Sequence, residues 1–338
     1  MKAYKKCLVF LLVFVLCMGL AGCRSSKETK REAYKLNIVT TLFPYYDMVR
    51  AIVGDTEDIH ISMIVAPGQD SHSFEPAPSD VMEIDGADVF IYNGGSLETW
   101  VDTLLDSMNN ERQIQMKMMD YVEILEEEQV EGMDTRFDGH GSEKLRMKNE
   151  ESSDLGHGDD HEHEEDEHIW TSPVNVQILT QKICDTLSEA SPENADTFQK
   201  NAKNYISRLQ ELDKEIHQIT DNAEKKEIIF ADEFPILYFA KEYGLKYYAA
   251  FPGCGDDMEP SAKTIAFLID KIKEDHIKAV FYLELNSSIV ADAISGDTGA
   301  EALEFNSCHN ITQKQFDDGV TYIDLMKENV NNLKKALN

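Results

Sequence analysis

Two histidines stand in surroundings unlike those of the rest. His72 lies in "GQDSHSFEPAPSD", a turn-rich run that follows the strand-like "HISMIVA" of residues 60–66 across a Pro-Gly turn. That puts it outside the carboxyl end of a strand, where open α/β sheets gather their ligands. His168 opens "HIWTSPVN", where apolar and turn character returns after a long acidic stretch. That stretch, Gly132–Glu167, contains His140 and, further on, "GHGDDHEHEEDE" with His157, His161 and His163. Imidazole nitrogens interleaved with carboxylates suit Zn²⁺ and similar borderline cations. The stretch has little apolar periodicity, which predicts a loosely ordered insertion. Ordering such a chain around each ion costs entropy, so we expect an auxiliary metal collector here and the tight site elsewhere.

The elements that must position these residues are α/β in rhythm. "LNIVTT" (36–41), 60–66 and "ADVFIYNG" (87–94) read as buried strands, with helical segments at 44–54 and 78–87 between them. The second half repeats the rhythm, with strands at 227–234, 245–251 and 278–285 and a helix at 261–275 that Ser261 caps. Between the halves, Ser191-Pro192 signals a helix start. Ala195, Phe198, Ala202, Tyr205, Leu209, Leu212, Ile216 and Ile219 then recur every three or four residues. One apolar stripe of that length predicts a rigid spine packed against both flanking units. The expected fold is therefore two parallel-sheet α/β lobes joined by one long helix. The boundaries are 36–190 for the first lobe with its insertion at 132–167, 191–224 for the linking helix, and 225–338 for the second lobe.

The 338 residues carry 63 Asp+Glu against 32 Lys+Arg, a net charge of −31. Such a surface excludes nucleic acid as a partner. The first 22 residues form a leader: three lysines, then the apolar "CLVFLLVFVLCMGLA", too short for the ~20 residues of a membrane span. Its end, "LAGC", looks like a bacterial lipobox, so Cys23 is expected to be acylated (palmitate among its chains) and to hold the protein on the outer face of a cell membrane. Residues 24–35 read as the tether. Outside the cell thiols oxidise, and Cys254 and Cys308 sit in loop-like sequences, which predicts a disulfide between them. Cys184 falls in an apolar helical pattern and is expected buried and free.

"PGQDSHSFEPAPSD" together with "DEHIWTSPVNV" resembles the first two ligand motifs of the cluster A-I solute-binding proteins, the zinc and manganese receptors of ABC importers. The likeness continues through "YFAKEYGL", "EPSAKTIAFLIDKIKED", "VFYLELNSS", "DTGAEALEF" and "TYIDLMKENVNNLKKAL", so it covers nearly all of residues 36–338 in order. It implies a metal site in the cleft between lobes, with His72 and His168 as the first two ligands. The third family ligand is a histidine that this chain lacks. Glu233 falls at that place with Asp232 beside it, and strand alternation allows only one of the two to face the cleft. The fourth position aligns near Asn306. His309 and Glu284 are weaker candidates close by.

The reading is capture and delivery: a lipid-anchored monomeric receptor binds Zn²⁺ and hands it to an ABC permease. A manganese receptor is the alternative, because a carboxylate in place of an imidazole hardens the site. A surface adhesin on the same scaffold is another. A zinc hydrolase is disfavoured, since no H-E-x-x-H helix occurs.

Overall fold

A computed structural model describes residues 34–108, 110–134, 165–253 and 259–338. The leader, Cys23, His140, His157, His161, His163 and Cys254 lie outside the described residues. The first half runs β1 (Leu36–Thr40), α1 (Phe43–Val53), β2 (Ile59–Met63), α2 (Pro78–Asp85), β3 (Val89–Tyr92), α3 (Thr99–Ser107) and β4 (Ile114–Lys117). The strands pair in parallel in the order β2-β1-β3-β4. All four residues of β3 are buried, as a strand covered on both faces requires.

Two helices lie at the centre of the chain. α4 (Pro173–Ala190) begins on Ser172, whose side chain accepts from the N–H groups of Val174 and Asn175. The spine was expected to start at Pro192, but Pro192–Asn194 makes one 3₁₀ turn and the α-helix proper, α5, is Ala195–Asn222. Its 28 residues span about 42 Å at 1.5 Å per residue. Phe198, Ala202, Tyr205, Leu209, Leu212, Ile216 and Ile219 of the stripe are all buried.

The second half is β5 (Glu227–Ile229), α6 (Leu237–Glu242), β6 (Lys246–Tyr248), α7 (Ala262–Asp275), β7 (Ala279–Leu283), α8 (Ile289–Thr298), β8 (Glu301–Phe305), α9 (Gln313–Asp317) and α10 (Tyr322–Leu337). The parallel pairs β5-β6 and β7-β8 meet through a parallel bridge between Phe230 and Phe281. The order β6-β5-β7-β8 thus repeats that of the first half. Ser261 caps α7 by accepting from Thr264 N–H. The spine stripe packs on α4, α1 and α10, so it is covered within the chain. Among the described residues no helix is long and apolar enough to cross a membrane.

The lobes are welded together. One core cluster runs from Leu36 in β1 through both central helices to Leu337 in α10. Buried Asp47 of α1 accepts from Tyr205 Oη on the spine at 2.8 Å and from Tyr322 N–H on α10 at 3.0 Å. Trp170 Nε1 donates to Ser307 O at 2.9 Å, and Tyr322 Oη to Trp170 O at 2.9 Å. The ends of the stretch 132–167 correct the expectation of loose order. Asp134 N–H donates to Ala250 O at 2.9 Å, and its carboxylate accepts from Ser261 N–H at 3.1 Å. Glu165 bridges to Glu126, and Asp166 and Glu167 are buried. The carboxylates of Asp134, Asp166 and Glu167 each accept from backbone N–H groups, which stabilises them in place and which hydropathy does not register.

Candidate metal centre

A cavity of about 470 Å³ opens between the halves, lined by His72, His168, Glu233, Glu284 and His309 among others. The loop after β2 brings His72. Asp70 shapes that loop by accepting from the N–H groups of His72 at 3.2 Å and Ser73 at 3.0 Å. The His72 and His168 rings converge, their centroids 5.7 Å apart. Burial, then the neighbouring His168 and His309 rings, lower the pKa of His72 to about 4, so its imidazole is neutral at physiological pH.

His168 is buried at the start of the turn that leads into α4. Its Nδ1 lies 3.2 Å from Asp166 Oδ1, which also accepts the His168 backbone N–H at 2.9 Å. A carboxylate only accepts, so the proton sits on Nδ1 and Nε2 carries a free lone pair. That Nε2 is buried and has no hydrogen-bond partner among the described residues. Behind it, Glu167 accepts from Leu97 N–H at 2.6 Å and from Ser96 N–H. Gly95, at φ +80°, is the residue that permits this approach: a Cβ there would stand 2.6 Å from the Glu167 carboxyl carbon.

The carboxyl lobe places the remaining candidates. β5 stops at Ile229, so strand alternation does not extend to residues 232 and 233. Asp232 turns inward instead, its carboxylate accepting from Leu283 N–H at 3.2 Å, and it does not line the cavity. Burial first raises its pKa, with Glu284 adding to the shift. Glu233 lines the cavity. His309 also lines it. Asn306 is buried and bonded to Asn329, away from the opening. Glu284 also lines the cavity, its Oε1 3.4 Å from His309 Nδ1. Its two oxygens accept from Ser307 N–H at 2.7 Å, Ser307 Oγ–H at 2.7 Å and Cys308 N–H at 3.1 Å. Ser307 Oγ in turn contacts His309 Nδ1 at 2.7 Å. Hence Glu284 orients the loop and the His309 ring. Asn310 adds a clasp that the sequence did not reveal: its Nδ2 donates to Ala66 O at 2.8 Å and Gln69 O at 2.7 Å, tying the His309 loop to the His72 loop.

Among the described residues Cys308 is unpaired, which corrects the expected Cys254–Cys308 disulfide; Cys254 itself lies outside them. Cys308 is a free thiol with no exposure, in the core cluster, at a left-handed φ of +64°. The loop sequence placed it at the surface, but its backbone turns the sulfur inward. We expect native Cys308 to resist a thiol-reactive dye until the protein is unfolded. Rapid labelling of the folded chain at this residue would contradict that burial. Cys184 is buried and free, as expected.

Two α/β lobes around a cleft into which imidazoles converge define a metal receptor of the solute-binding class. The family model described as "ZnuA: Zinc-uptake complex component A periplasmic" matches residues 38–336, and the chain belongs to that family. It is 33% identical over 331 residues, 97% of either chain, to the high-affinity zinc uptake system protein ZnuA of Bacillus subtilis. It is 32% identical to the zinc-binding lipoprotein AdcA of Streptococcus pneumoniae, covering 97% of this chain but 60% of AdcA. The crystal structure of the Zn(II)-bound ZnuA-like domain of that AdcA superposes with a TM-score of 0.70 at 29% identity, over 90% of this chain and 99% of the domain.

Proposed function

We propose that this chain captures Zn²⁺ outside the cytoplasm and delivers it to an ABC permease, with His72, His168, His309 and Glu233 as the ligands. The observation that carries this is the buried, partnerless Nε2 of His168, held in its tautomer by Asp166 and aimed where two further imidazoles gather. A buried acceptor without a partner is costly, and a cation bound there satisfies it. Three neutral imidazoles and one carboxylate leave the loaded site with one positive charge, on donors that favour Zn²⁺ over harder ions. The third imidazole from His309 offsets the hardening by Glu233, which weighs against the manganese reading. Because the core is continuous across both lobes, loading orders the loops that carry His72 and His309 and leaves the lobes in place.

The family's role, the leader and the "LAGC" end support Cys23 as a lipid anchor on the outer membrane face, with 24–35 as tether and the lobe limits given above. The residues outside the described set, His140, His157, His161 and His163, would serve as the auxiliary collector. We read the protein as a monomer that docks on its permease, and adhesion as no part of the site's chemistry. Competitive titration with Zn²⁺ and Mn²⁺ tests this. We expect one cleft ion per chain and at least a hundredfold preference for Zn²⁺. Equal affinity for the two ions would overturn the zinc assignment.

A further inference from the structure

Far along the spine from its start, a second group of metal-type donors comes together. Asp213 and His217 lie one turn apart on α5, on the same face. Glu242, the last residue of α6, meets them, and one ligand atom from each of the three lies within 4.8 Å of the others. The His217 Nε2 to Asp213 Oδ1 distance is 3.6 Å. Tyr243 supports the pair. Its phenol O–H donates to Asp213 Oδ1 at 3.0 Å, and its ring packs edge-on against the His217 ring at 4.9 Å. The tyrosine is itself buried, and burial followed by the charge of Asp213 raises its pKa, so it remains a donor.

Two of the three donors are carboxylates, one half-buried and one exposed. Glu242 ends its helix, where the dipole disfavours a negative group. It makes no hydrogen bond or ion pair among the described residues, and it faces a second carboxylate. Among the described residues neither lysine nor arginine bridges the two. A carboxylate pair completed by an imidazole, preset by a buried phenol, is what a divalent ion with N/O preference requires. We propose that Asp213, His217 and Glu242 form a second, surface Zn²⁺ site that ties the spine helix to α6, distinct from the cleft.

The site takes three protein donors, so water completes the shell and the ion exchanges readily. The test uses full-length protein with two equivalents of zinc, parent and His217→Ala, by zinc-edge anomalous diffraction and by equilibrium dialysis at micromolar zinc. Whatever the acidic stretch binds is common to both proteins and cancels in the difference. Expected is a peak between the three side chains that His217→Ala removes, together with one zinc per chain, while the cleft peak persists. Tyr243→Phe, which keeps the ring but loses the donor, is expected to weaken this site about tenfold. A filled cleft with no peak at the triad, or unchanged stoichiometry in His217→Ala, overturns the proposal. So does a peak that appears only at millimolar zinc. Loss of the cleft peak in His168→Ala with the triad peak retained would leave this proposal standing on its own.

Discussion

His168→Ala is expected to abolish tight zinc binding while leaving the folded apo protein nearly as stable. Structural zinc sites bind with about 10–16 kcal/mol in all, so one of the four proposed ligands carries about 3–4 kcal/mol, or several hundredfold in affinity. Stability responds differently. The substitution removes a buried ring packed edge-on against Trp170, with centroids 5.4 Å apart, but it also removes an acceptor that is unsatisfied in the apo protein. The two effects oppose, and a net apo destabilisation of about 1–2 kcal/mol follows. Competition with a chelator measures the first quantity and urea unfolding of the apo form the second. Unchanged zinc affinity would remove His168 from the site. Acid release refines the same picture. His72 keeps its neutral ring down to about pH 4, whereas an ordinary imidazole protonates near 6.5. Its part in zinc affinity therefore survives acidification to pH 5. The apo protein should lose stability as pH falls from 6.5 towards 4, because in that window the unfolded chain binds a proton that the folded one does not.

Glu284→Ala should damage fold and site together. The parent carboxylate is the acceptor for two buried backbone N–H groups, those of Ser307 and Cys308, and for the Ser307 hydroxyl. Alanine leaves both N–H groups without a partner at about 1–3 kcal/mol each, so a loss of about 3–4 kcal/mol is expected in urea unfolding. Zinc affinity should fall a further ten- to hundredfold, because Ser307 no longer fixes the His309 ring. Glu284→Gln keeps one acceptor oxygen and is expected to lose about 1–2 kcal/mol, which separates the geometric role from the charge. An alanine variant as stable as the parent would show that the loop holds itself.

Much of this molecule was written in local pattern. The spine stripe follows from apolar spacing at three and four residues, and seven of its eight positions are buried. Ser261 was legible as a cap for the same reason: capping depends on a residue and its near neighbours. The convergence of His72 and His168 came from motif resemblance, since the 95 residues of intervening chain carry no local signal for it. What escaped is instructive. Asp232 and Glu233 could not be told apart because the expected strand ends three residues earlier, and a loop has no alternation to read. Asp166 looked like one acid among many, although its neighbour in space is the Nδ1 of a buried histidine.

By itself, then, the sequence determined the α/β rhythm, the spine, the two amino-lobe imidazoles and the strongly negative net charge. Each of these depends on residues close in the chain, on a recognisable motif or on total charge. The tertiary structure alone decided that Glu233 rather than Asp232 lines the cleft, that His309 joins it, that Glu284 holds the Ser307–Cys308 turn beside it, and that Cys308 turns into the core. Those choices depend on where strands stop, on a left-handed residue at 308 and on loops brought together across two lobes, and no periodicity along the chain encodes such meetings.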